Sequence, residues 1–156
     1  MEEMLNCIDK VSIKELRRWS GVYLGRLDST SIDRYMAITR NDEVKAILCP
    51  AEWDSIKSLP EELFGEDGEQ VRQTIDTTPE QFMRIYDLGE LLQVIGISLI
   101  TTGQFQDTVG RYSDNASQYS ITEPQAYTGV TSSGKLRGLI TPPLIGQKII
   151  ENFHNV

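Results

Sequence analysis

The stretch Ala37–Trp53, AITRNDEVKAILCPAEW, decides how the first third of the chain folds. Together with Tyr35 and Met36 it gives two runs of strand composition, YMAIT (Tyr35–Thr39) and VKAILC (Val44–Cys49). RNDE lies between them. Asn41 and Asp42 tolerate left-handed backbone and bond locally, so the spacing predicts a tight turn and a hairpin. Pro50 has no N–H to give a ladder and ends the second strand. AEWDSIKSL then reads as a short helix with Trp53, Ile56 and Leu59 on one side.

Upstream stands CIDKVSIKELRRWSGVYLGRL. Cys7–Val11 has the composition of a short strand. Ser12 followed by Glu15 is an S-x-x-E capping box, in which each side chain satisfies a free N–H at a helix start, and Val11 is placed for a hydrophobic staple. Ile13, Leu16, Ser20, Tyr23, Leu24 and Leu27 follow helical spacing and form the face turned to the core. Lys14, Arg17 and Arg18 fall elsewhere, so the first turns are basic on a face outside the core. The order strand, helix, hairpin, helix within about 55 residues gives a thin core, and small units usually need more buried surface than that. A homodimer is the expected solution.

In this order and spacing the residues resemble the Phd/YefM (prevent-host-death) antitoxins of bacterial toxin–antitoxin modules. The resemblance covers about residues 5–60. It is carried by Ser12, Glu15 and Arg17, by Tyr23 and Leu24, by Ile38–Arg40, by Ala46, Leu48 and Pro50, and by Trp53. Asn41 and Asp42 stand where such proteins usually have a second basic residue and a glycine. The resemblance implies an α+β dimer whose N-terminal unit binds operator DNA and whose C-terminal arm folds onto a toxin. The groups that would meet phosphate are Lys14, Arg17, Arg18 and Arg40, presented twice per dimer. The alternative is that these four are solvated surface charges.

The 156 residues are 39% hydrophobic and 24% charged, as in a folded soluble protein. The net charge of −8 argues against a general nucleic-acid binder and leaves room for a local basic face. Residues 60–90 hold nine acidic and two basic groups, while the segments on either side are near neutral. Cys7 and Cys49 have no metal-binding spacing and read as buried thiols; one histidine, His154, makes a zinc site unexpected. The first residues carry Glu2 and Glu3 rather than a basic leader, and LLQVIGISLI is too short to span a bilayer, so a cytoplasmic protein with no membrane contact is expected.

These features divide the chain into a dimerisation and DNA-binding region (1–59), an acidic linker (60–78) and a partner-binding region (79–156). The last is expected to be mainly helical with short strands. Pro79 at N1 opens a helix reaching Ile100, on which Phe82, Ile85, Tyr86 and Leu92 are the anchors for a protein partner. The Ser-, Thr- and Gly-rich run from Thr101 to Gly134 reads as loop with short strands, and Pro142–Pro143 open a last amphipathic helix. GVTSSGK (Gly129–Lys135) fits part of a phosphate-binding loop, but Leu136 follows the lysine where Ser or Thr would hold magnesium, so it reads as a glycine–serine turn. No catalytic constellation is present, so neither enzyme activity nor a cofactor is expected. The expected function is an antitoxin-like regulator that binds operator DNA and neutralises a protein partner. The alternative is the same fold reused, for example by a phage, as an adaptor or inhibitor that does not bind DNA.

Overall fold

The computed structural model describes residues 8–28, 34–52 and 95–154, together with positions 59, 63, 89, 92 and 93. The chain is α+β, with six strands and four α-helices among the described residues. In order these are β1 (Asp9–Ser12), α1 (Ile13–Arg18), α2 (Ser20–Arg26), β2 (Met36–Arg40), β3 (Glu43–Pro50), β4 (Ser98–Thr101), α3 (Thr102–Gln118), β5 (Thr128–Ser132), β6 (Lys135–Thr141) and α4 (Pro143–His154). One sheet runs in the order β1-β2-β3-β6-β5-β4. β1 is parallel to β2 and β4 to β5; the other neighbours are antiparallel.

The N-terminal elements form for the reasons read from the sequence. Ser12 caps α1, its hydroxyl accepting the Glu15 N–H at 3.1 Å. The helix breaks at Trp19 (φ −126°, ψ 35°) and restarts as α2. Asn41 and Asp42 form the two-residue hairpin loop, both left-handed at φ 53° and 64°. Pro50 is the last residue of β3.

Alternate residues of the central strands feed two apolar layers, as the two-residue period of a strand requires. Met36, Ile38, Ala46 and Leu48 face Leu16, Leu24, Phe105 and Val109 of α1, α2 and α3. Tyr35, Ala37, Ile47 and Cys49 face Ile145, Ile149 and Ile150 of α4, together with Leu59 and Leu92. Both faces of the sheet are therefore covered, which is why β3 reads as a near-continuous apolar run. Full burial of a side chain such as Leu16 contributes about 1.5–3 kcal/mol. Helix α4 lies so close to β3 that a Cβ on Gly146 would collide with the Ile47 side chain.

Two expectations are corrected. The helix expected over Pro79–Ile100 does not reach its end: Ser98–Thr101 is strand β4. The first part of the run expected as loop with short strands, Thr102–Gln118, is a 17-residue helix, α3, opened by a capping box in which Thr101 and Gln104 satisfy each other's backbone N–H groups at 2.8 and 3.2 Å. Its Thr, Ser, Asn and Gly content is poor for helix, but Phe105, Val109 and Ala116 recur on one face and are buried. Tertiary packing holds it. The described part of the region after residue 79, expected to be mainly helical with short strands, holds more helix than strand, and its three strands join the same sheet as residues 9–50. β6 pairs with the edge of β3. The glycine–serine reading of Gly129–Lys135 agrees with the structure: Ser133 and Gly134 (φ 54° and 77°) turn the β5–β6 hairpin.

The topology is that of one unit used twice. β1-α1-α2-β2-β3 is matched by β4-α3-β5-β6. Tyr35, Thr39 and Pro50 correspond to Tyr127, Thr131 and Pro142; Ser12, Gly21 and Tyr23 correspond to Thr101, Gly110 and Tyr112. Each hairpin shifts register at the same place, between Ile38 and Thr39 and between Val130 and Thr131. The helix break at Trp19 recurs as a kink at Thr108 (φ −129°, ψ 19°). At the β3–β6 junction Leu48 faces its own counterpart, Ile140, while Cys49 faces Leu139 and Ile47 faces Thr141. That reciprocity is the mark of an isologous two-fold contact, here formed within one chain.

Candidate anion-binding groove

The turn out of β1, the first turns of α1 and the end of β2 meet at one corner of the molecule. The N-cap at Ser12 fixes the start of α1, which sets Lys14, Arg17 and Arg18 at positions i, i+3 and i+4, neighbours on a helix surface. The parallel pairing of Ser12 with Thr39 places Arg40, one residue further along β2, beside them. All four cations expected from the sequence line one open groove of about 710 Å³. α3 contributes Gln106 and Asp107 to its lining.

The four cations are held differently. Arg40 pairs with Asp114 at 3.2 Å, both side chains being partly exposed, so the pair is worth little in itself. The Arg40 guanidinium lies against Gly110, where a Cβ would come within 2.8 Å of Nη2. Lys14, Arg17 and Arg18 are exposed and form no ion pair with another described residue. Glu15, the one acid among them, is turned to other duties: it bonds the Ser12 hydroxyl at 3.3 Å and accepts the Tyr23 hydroxyl at 3.1 Å. The Tyr23 pKa is raised, chiefly by desolvation and next by that bond to Glu15. Arg18 sits over the Trp19 ring at 5.3 Å from its centroid, and Trp19 remains 52% exposed.

The second unit lacks this groove chemistry. The counterparts of Lys14, Arg17, Arg18 and Arg40 are Gly103, Gln106, Asp107 and Ser132. The two-fold backbone therefore carries one basic corner, where the resemblance implied two per dimer.

Of the expected partner anchors, Phe82, Ile85 and Tyr86 lie outside the described residues, as does the expected acidic linker 60–78 apart from Leu63, which is buried. Leu92 is fully buried in the layer under α4, so it is a core residue and not a free anchor. Cys49 is also fully buried, and desolvation pushes its thiol up to about 12. No group of metal-ligating side chains occurs among the described residues. No helix among them is long and apolar enough to cross a membrane.

The sequence reading missed the internal repeat and Trp19. The repeat has a signal: YMAITRNDEVKAILCP and YTGVTSSGKLRGLITP superpose without a gap, small on small and branched on branched. Only comparison of the chain with itself exposes it. No protein-family model, curated protein or solved structure matches the chain.

Proposed function

We propose that the protein is an antitoxin-like regulator in which the paired unit of a Phd/YefM dimer is built from a single chain. Its basic groove holds the sugar–phosphate backbone of nucleic acid, and a second surface beyond residue 60 engages a protein partner. The observation that carries this is the convergence of Lys14, Arg17, Arg18 and Arg40 in one open groove, with the nearby carboxylate of Glu15 already engaged. The two-fold strand–helix–hairpin order supports the family reading. Phe82, Ile85 and Tyr86 remain the candidate anchors for the partner, and the acidity of residues 60–78 would speed encounter with a basic surface.

A second reading, an adaptor or inhibitor without nucleic-acid binding, is favoured by Gln106 and Asp107, which replace cations in the second unit and face the groove. A mobility-shift titration with the DNA upstream of the gene separates the two. The regulator should bind with a log–log salt slope of about −0.9 for each duplex phosphate neutralised. Replacing Arg17 and Arg18 together by Ala should flatten that slope and weaken binding on any sequence. No shift at low salt, with the partner still captured, would leave the adaptor.

A further inference from the structure

We infer that the groove takes one unpaired nucleic-acid strand, its phosphates on Lys14, Arg17, Arg18 and Arg40 and a base stacked on Trp19. This rests on the reading of the groove as a nucleic-acid site and specifies the class of ligand.

Three features of the corner favour an unpaired strand over a duplex. A two-fold protein on a palindromic duplex meets both half-sites with the same side chains. Here Gly103, Gln106, Asp107 and Ser132 stand at the matching positions of the second unit, so no equivalent second half-site is presented. Reading a duplex in its major groove also calls for an element that protrudes into it. Lys14, Arg17, Arg18 and Arg40 instead line a concavity, to which α3 contributes Gln106 and Asp107. A concave basic channel tracks a single backbone.

The third feature is Trp19. Trp19 is 52% exposed and, although it does not itself line the groove, it lies beside Arg18, which does. Arg18 already lies over its ring, at 5.3 Å from the centroid, so base, indole and guanidinium can form one stack. Val22, one turn further on and 63% exposed, extends the apolar surface. Every base has a π-face, so such a platform accepts any sequence, provided the base is not already stacked in a duplex. The counterpart of Trp19 in the second unit is Thr108, which offers no platform. At these positions cations and aromatic occur together in the first unit and are absent from the second, whose own pair, Arg111 over Tyr112, stands elsewhere on α3.

The test is fluorescence anisotropy of the full chain with labelled oligonucleotides of about 12 residues. The probes are oligo-dT, oligo-U and a mixed-sequence duplex; the first two distinguish DNA from RNA as the preferred strand. Single strands should bind more tightly than duplex, with a log–log salt slope no steeper than about −2.8, that is about −0.7 for each of four phosphates. Trp19→Ala should weaken single-strand binding roughly 5- to 150-fold and leave the salt slope unchanged. Trp19→Phe should restore most of the loss, and circular dichroism should show both variants folded. Arg17→Ala with Arg18→Ala should flatten the slope for every probe. Duplex binding as tight as single-strand binding, with Trp19→Ala silent, would overturn this inference and leave the groove a nucleic-acid site. If no probe binds at low salt, the reading of the groove as a nucleic-acid site falls as well.

Discussion

Residues 9–50 and 98–141 build the same arrangement from different side chains. What they share is buried: Val11 and Ile100, Leu16 and Phe105, Ile38 and Val130, Leu48 and Ile140, each pair within one apolar layer. Much of what they do not share is exposed or borders the groove, where Lys14, Arg17, Arg18, Trp19 and Arg40 stand against Gly103, Gln106, Asp107, Thr108 and Ser132. Burial constrains the first set, because cores punish changes of volume. Solvent leaves the second set free to diverge. A repeated fold can thus keep many buried side chains alike while its exposed ones diverge.

The comparison breaks most readily at its centre. Leu48 and Ile140 are fully buried, face each other across the β3–β6 pairing, and belong to both units at once. Leu48→Ala should cost about 2–5 kcal/mol, as for other large-to-small core changes. Ile140→Ala should cost a similar amount, and the double variant should depart from additivity because the two side chains are neighbours. Urea unfolding followed by a probe in each unit reads both effects. The two probes should report one transition in every variant. Separate transitions would mean two independent domains and would undo the single-core description.

The sequence carried the first unit almost whole. Ser12 and Glu15, the paired turn residues Asn41 and Asp42, and Pro50 each act within a few residues of themselves, so their consequences follow from local rules. The second unit was hidden where local and tertiary preferences conflict. Thr102, Gly103, Asp107, Ser113, Asn115 and Ser117 argue for loop, yet Phe105 and Val109 bury fully against the sheet and hold the helix. Ser98–Thr101 looked like the end of a helix because LLQVIGISLI is apolar at every period. Pairing with β5, a contact about 30 residues away, makes it a strand. The four groove cations were legible because a basic run off the apolar face of a capped helix must point to solvent. That they meet Asp107 and Asp114 depends on α3, and nothing near them in the chain says so.

A smaller effect sharpens the comparison at the pair Ala46 and Gly138. Both positions are buried, and the first unit has room for a methyl group that the second lacks. A Cβ on Gly138 would come within 2.7 Å of Leu27 Cδ1 and 3.2 Å of the Cys49 carbonyl oxygen. Gly138→Ala should therefore destabilise by about 1–3 kcal/mol, the usual cost of overpacking. Combining it with Leu27→Ala should cost less than the sum of the two, since the clash loses its partner. A Gly138→Ala variant more stable than the parent chain would show that Leu27 does not fill the space left by the missing methyl group. It would also remove the packing reason for the difference between the units.

The smallest expected effect lies in the hairpin loops, where the two units solve one geometric problem with different residues. Both loops need two consecutive left-handed residues, because that turn matches the twist of the strands it joins. The first unit uses Asn41 and Asp42, the second Ser133 and Gly134. Glycine reaches positive φ without meeting its own Cβ, whereas Asp42 at 64° bears part of the left-handed cost. Asp42→Gly also raises the entropy of the unfolded chain, which offsets part of the gain. The net should be a stabilisation of a few tenths of a kcal/mol, below about 1 kcal/mol. Gly134→Asp should destabilise by a similar amount. Paired urea titrations of the two variants measure both, and opposite signs are the outcome that matters. If Asp42→Gly destabilises, the Asp42 side chain contributes more to the loop than its backbone costs, and the two hairpins differ in mechanism as well as in sequence.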